Sequence, residues 1–171
     1  YYEKFMACKR SEGELIIKAE WWIKKADQNG NKDAKLYLGF MHYKRYISDA
    51  DIKKASILFH EATQQGNIEA HYYLGLMHYK KEVVEPSLEK AKEHLERAAS
   101  HDHADASYLL GQIFENDDLV ENHYEQAIDW YKKAAELNNH EAQYKLGMHF
   151  YYQAQNNDDR NKKERLISSA H

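Results

Sequence analysis

The 171-residue sequence predicts an all-α solenoid of stacked antiparallel helical hairpins, and three observations carry that prediction. Gly39, Gly75, Gly111 and Gly147 recur at a constant interval of 36 residues, each directly after a leucine (Leu38, Leu74, Leu110, Leu146). Alanines keep the same interval in three further columns: Ala34, Ala70, Ala106 and Ala142; Ala19, Ala55, Ala91 and Ala127; and Ala26, Ala62, Ala98, Ala134 and Ala170. No stretch alternates apolar and polar residues for long enough to build a sheet. A fixed period of this length marks an array in which each unit buries its apolar face against its neighbours.

Each unit divides into two helices. In the first, helix A, Ala34, Tyr37, Leu38 and Met41 follow 3-4-3 spacing, repeated as Ala70, Tyr73, Leu74 and Met77. In the second, helix B, bulky pairs stand between two alanine columns: Trp22 and Ile23, Leu58 and Phe59, His94 and Leu95, Trp130 and Tyr131, Leu166 and Ile167. Alanine at i, bulk at i+3 and i+4 and alanine at i+7 form one face of an amphipathic helix. Small residues at fixed crossings let two helix backbones approach, and the large ones fill the grooves beside them.

The punctuation between helices agrees. Gly30, Gly66, Asp102 and Asn138 stand just past each helix B, where a left-handed residue ends a helix. Asn31, Asn67 and Asn139 offer N-cap oxygens to the next helix A. The acidic column Asp33, Glu69, Asp105 and Glu141 follows in its first turn, where a carboxylate complements the helix dipole. Pro86 precedes a helix B, where it is compatible with a first turn. The period divides the chain into a single domain with units at 1–30 (partial), 31–66, 67–102, 103–138 and 139–171. Residues 1–10 correspond to the later part of a helix A, and residues 160–171 to a helix B reaching Ala170, as in a piece of a longer array.

Composition limits what such an array does. A hydrophobic content of 43% supports a substantial core, and a mean hydropathy of −0.91 without a long apolar run excludes a membrane span. The net charge of −4 arises from 24 basic and 28 acidic residues, which gives no general attraction to nucleic acid or anionic lipid. Cys8, the single cysteine, excludes an internal disulfide and reads as an inert packed thiol. The excess of lysine over arginine, with many Asn, Ile and Tyr, points to an AT-rich bacterial source. A soluble protein of the cytoplasm, or one secreted into a host, is expected, with the periplasm left open.

The run Ala-x-x-x-Leu-Gly-x-Met-x-Tyr at Ala70 to Tyr79, followed by Lys90, Ala91 and Ala98, resembles the Sel-one-like repeat (SLR) family, a relative of tetratricopeptide repeats. Trp130, Tyr131, Lys133, Ala134 and Ala135 match that family's Trp-Tyr-x-Lys-Ala-Ala segment. The family's Gly-x-Gly-Val loop is replaced by Arg45, Ile47 and Ser48, by Lys81, Val83 and Val84, and by Asp117, Leu119 and Val120, so its loop conformation is not transferred. The cysteine pair of many extracellular-type relatives is absent from the sequence.

The resemblance implies a right-handed superhelix whose concave side, lined by helix A, holds a segment of another protein. By analogy the binding positions are Leu36, Tyr72, Tyr108 and Tyr144; Phe40, Leu76, Gln112 and Met148; and Tyr43, Tyr79 and Tyr151. Tyrosines in that pattern suit peptide recognition, because a rigid amphipathic ring buries area at low entropic cost. An adaptor or scaffold follows as the function, with an inhibitory or immunity subunit capping an enzyme or toxin as the alternative and a hydrolase behind both. Exposed terminal repeats would also allow a homodimer.

No catalytic residue, metal ligand set or cofactor site is assigned. His42 and His78 share a column that continues as Phe114 and Phe150, so the position wants a planar ring. His60-Glu61 opens like a zinc-protease helix, but Gln64 replaces the second histidine. His101 and His103 lie in a turn without distant partners. Neither a phosphate-binding glycine loop nor a nucleophile elbow is present.

Overall fold

A computed structural model describes the backbone of residues 2–116 and 122–169 and the side chains of 13–116, 122–157 and 160. Among the described residues there are eight helices and no strand: α1 (Tyr2–Gln28), α2 (Ala34–Tyr43), α3 (Ile52–Gln64), α4 (Ile68–Tyr79), α5 (Leu88–Ala99), α6 (Ala104–Glu115), α7 (His123–Glu136) and α8 (His140–Ser169). Helix A of the sequence reading becomes α2, α4, α6 and the start of α8, and helix B becomes α3, α5 and α7. The chain forms two compact units, Tyr1–His101 and Asp102–His171, divided in sequence one residue before the repeat border at 102. Within the first, α2 pairs with α3 and α4 with α5, with α1 on α2 and α3 on α4; within the second, α6 pairs with α7 and α7 packs on α8. The first unit is thus two stacked antiparallel hairpins preceded by α1, and the second is one hairpin followed by α8, the layout of an α-solenoid.

The glycine column sets the hairpin spacing. A Cβ at Gly39 would lie 2.8 Å from the Phe59 ring, at Gly75 2.6 Å from Leu95, and at Gly111 2.5 Å from Tyr131. Each glycine is a seat into which the bulky residue of the following helix B drops. Phe59, Leu95 and Tyr131 are buried, each contributing about 1.5–3 kcal/mol of apolar burial. The other member of each bulky pair is more exposed: Leu58, His94 and Trp130 are half-buried, and Trp22 is exposed. The alanine columns at 55/91/127, 62/98/134 and 70/106/142 are fully buried. Ala19 in α1 departs from its column and is exposed.

Helix ends follow the predicted chemistry. Gly30, Gly66, Asp102 and Asn138 all have positive φ. Asn67 Oδ1 accepts from the Ala70 N–H and Asn139 Oδ1 from the Ala142 N–H. His103 Nδ1 does the same for the Ala106 N–H. Asn31 differs: it accepts from the Asp33 N–H, and α2 begins only at Ala34, so Asn31 makes a turn rather than a cap. Arg45 and Lys81 are left-handed at φ 56° and 59°, a conformation a glycine would take more easily.

Two end regions differ from the sequence reading. α1 runs unbroken from Tyr2, and α8 runs unbroken through Ser169 where the period expects a turn and a separate helix B. Between residues 151 and 160 there is neither glycine nor proline, so nothing forces the backbone out of the helical region. Residues 117, 119 and 120, and the side chains of Cys8, Leu166 and Ile167, lie outside the described residues, as does Ala170.

Candidate functional site

In the first unit the helix A pair α2 and α4 frames an open groove of about 550 Å³, lined by Asp33, Leu36, Tyr37, Phe40, Asn67, Ile68, Glu69 and Tyr73. Its floor is an aromatic ladder. Tyr73 stacks on Phe59 at 5.0 Å and 11°, Phe40 meets the edge of Tyr73 at 5.7 Å, and Tyr46 flanks Phe40 at 5.9 Å. These rings fix one another, because offset and edge-to-face pairs have defined geometry. Tyr37 stands beside the floor with 56% of its surface exposed, and Lys44 Nζ lies 5.6 Å from the centre of the Phe40 ring.

The rim is polar and held in place. Asn67 caps α4 with its oxygen and, with Nδ2, donates to Asp33 Oδ1 at 3.0 Å. The same device recurs in the second unit, where Asn139 caps α8 and donates to Asp105 Oδ1 at 2.8 Å. Asp33 and Asp105 therefore do more than complement a helix dipole: each ties one repeat to the asparagine of the next.

Of the residues assigned by analogy, only Leu36 and Phe40 line this groove. Leu36 is 9% exposed and forms part of the core beneath it. Tyr43 packs on Phe59 and Tyr73, and burial with a neighbouring Glu82 carboxylate raises its phenol pKa. Tyr72 meets Tyr73 edge-on at 5.2 Å, and Leu76 and Tyr79 are half-buried. In the second unit Gln112 Nε2 donates to Tyr108 Oη, and Tyr108 packs on the α7 core. Met148 is half-buried, while Tyr144 and Tyr151 are exposed on α8. Tyr37 and Tyr73, absent from the assignment, also line the groove. Their column reads as core in a 3-4-3 pattern, and only the recurrence of tyrosine two residues before each of the first two glycines signals otherwise.

The titratable groups mostly serve the scaffold. His42 Nδ1 accepts from the Asp51 N–H at 3.2 Å and His78 Nδ1 from the Ser87 N–H at 3.3 Å, pinning the loop before each helix B. An acceptor Nδ1 requires neutral imidazole with the proton on Nε2. Burial lowers the pKa of both rings and of His71, and lowers His94 to about 4. His71 and His94 meet at 3.0 Å between their Nδ1 atoms. Burial alone would raise Glu115, but hydrogen bonds from Lys145 and Tyr131 outweigh it and hold the carboxylate low. Among the described residues no three His, Cys, Asp or Glu side chains converge as a metal would need, and no helix is long and apolar enough to cross a membrane.

Residues 104–139 and 140–163 match the Sel1 repeat family, and residues 44–119 match the family described as plant tetratrico peptide repeats. The chain carries repeats similar to those of the Sel1 and tetratricopeptide families. Sel1-like and tetratricopeptide-type repeats generally mediate protein–protein interaction. Its fold is shared with c5321, a protective antigen present in uropathogenic Escherichia coli strains displaying an SLR fold, at TM-score 0.70 and 28% identity over 78% of this chain and 29% of that one. It is shared also with a Sel1 repeat protein from Oxalobacter formigenes, at TM-score 0.69 and 24% identity over 81% of this chain and 59% of the other. This Sel1-like chain thus spans less than two thirds of either. No curated protein matches its sequence.

Proposed function

We propose that this Sel1-like array is an adaptor module and that the α2/α4 groove receives a segment of a partner protein. The observation that carries this reading is the pairing of an aromatic floor (Phe40, Tyr73) and an exposed Tyr37 with an acidic rim (Asp33, Glu69) in one open groove. Such a groove suits an extended or helical peptide that places an apolar side chain on the rings and a lysine or arginine at the acidic end. Affinity is expected in the micromolar range, because the contact is small compared with a stable protein interface. The test is selection of peptides from a displayed random library on the full chain, followed by titration against Tyr37→Ala and Asp33→Asn. Enriched peptides that combine an aromatic or aliphatic residue with a basic one, and that bind Tyr37→Ala at least about tenfold more weakly, support the reading. Peptides indifferent to both substitutions contradict it.

A further inference from the structure

The two ends of the α2/α4 groove differ in charge. Asp33 and Glu69 stand at the N-terminal ends of α2 and α4, whereas Lys44 and Lys80 are the C-cap residues of the same helices. Both helices pack antiparallel on α3 and so run in one direction, which puts the two acids at one end of the groove and the two lysines at the other. Lys44 and Lys80 are exposed, and among the described residues neither is paired with a carboxylate. Lys44 Nζ lies 5.6 Å from the centre of the Phe40 ring and 5.7 Å from that of Tyr43, which keeps its charge over the aromatic floor. Acids in the two loops are engaged elsewhere: Asp49 pairs with Lys54, Asp51 caps α3, and Glu82 accepts from the Tyr43 hydroxyl. Glu85 stands beside Pro86, toward the α5 end of its loop.

The lysines are particular to this groove. The acidic column recurs in every repeat, where the helix dipole accounts for it, but the lysine column continues as Asn116 and Tyr152. Because α6 ends on Asn116 with no basic residue in its last turn, the dipole alone does not require a lysine at this position. Eleven positions separate Asp33 from Lys44 and Glu69 from Lys80, about 16 Å at the helical rise. An extended chain covers that distance in about five residues. The Asp33–Asn67 bond and the Phe40–Tyr73 contact hold α2 and α4 together along the groove. A helix, about 10–12 Å across, would ride above that floor, whereas an extended chain lies along it.

We propose that the groove reads an extended, bipolar segment of its partner. A lysine or arginine sits at the Asp33/Glu69 end, an aromatic or aliphatic residue on the rings, and an aspartate or glutamate at the Lys44/Lys80 end, about five residues from the base. This rests on the adaptor reading and adds to it the acidic end, the spacing and the extended form. Opposite charges at the two ends also fix which way round the segment lies, since the reversed arrangement sets like charges together at both.

The test is selection from a displayed library of random peptides on the full chain and, separately, on a Lys44→Glu, Lys80→Glu variant confirmed as folded by circular dichroism. On the unsubstituted chain, enriched peptides carry a base and an acid about five residues apart with an apolar residue between them. On the variant the acid gives way to a base, while the apolar and basic positions stay. A peptide selected on the unsubstituted chain binds the variant at least about tenfold more weakly, and changing its acid to lysine restores binding. Peptides with no preferred acid, with the charges at another spacing, or insensitive to the reversal overturn the bipolar reading. If those peptides still lose binding to Tyr37→Ala and Asp33→Asn, the groove itself stands. Peptides indifferent to all four substitutions, or a library that yields no binder, overturn the groove as well.

Discussion

His42 and His78 each hold a loop closed through one neutral nitrogen, and that makes them sensitive to acid. Burial keeps His42, His71 and His78 below their ordinary 6.5 and His94 at about 4, so between those limits the unfolded chain binds more protons than the folded one. Stability is therefore fully present above pH 6.5 and declines as pH falls from there toward 4, which urea unfolding at a series of pH values reads directly. Replacing His42 by Phe, the residue found in the same column at 114 and 150, keeps the ring but loses the Asp51 bond. The expected cost is about 1 kcal/mol at pH 7.5, with a shallower loss of stability in acid. Arg45 and Lys81 make the opposite case. Their left-handed backbone costs about 1–2 kcal/mol, so Arg45→Gly, despite the entropy of glycine, should stabilise by about 0.5–1 kcal/mol in the same assay. The planar-ring column was legible in the sequence, whereas the loop bond was not, because it depends on which nitrogen faces a backbone N–H nine residues away.

Among the helices, the glycine seats decide how closely each hairpin closes. Gly111→Ala would put a methyl 2.5 Å from the Tyr131 ring, whose hydroxyl is held at 2.6 Å by Glu115, so the ring has little freedom to move away. Thermal unfolding should show a loss of about 1–3 kcal/mol, the usual cost of overpacking a core. The asparagine ties act along the stack: Asn67→Ala removes both the α4 cap and the bond to Asp33, for about 1–2 kcal/mol. Hairpin order, the helix borders and the left-handed ends at Gly30, Gly66, Asp102 and Asn138 could be read from the 36-residue period, because close packing and positive φ restrict residue choice. The unbroken runs of α1 and α8 could not, since register alone does not break a helix where no glycine or proline does. Gly13 inside α1 shows the same tolerance.

At the scale of the molecule, a repeat array acts through the columns it leaves uncovered, and those are the hardest to read in a sequence. Leu36 and Phe40 were identified by their distance from the glycine, but Tyr37 and Tyr73 share the spacing of core residues, and only tertiary packing separates an exposed ring from a buried one. Tyr108 and Gln112 fit the analogy equally well; they are bonded to each other, and Tyr108 packs on the α7 core. The α2/α4 groove takes in Leu36 and Phe40 of that set. Amide chemical-shift mapping of the full chain, titrated with a peptide selected on it, tests the groove most directly. The account predicts perturbations concentrated at residues 33–40 and 67–73. Perturbations confined to α8, or to the outer faces of α3 and α5, would contradict it.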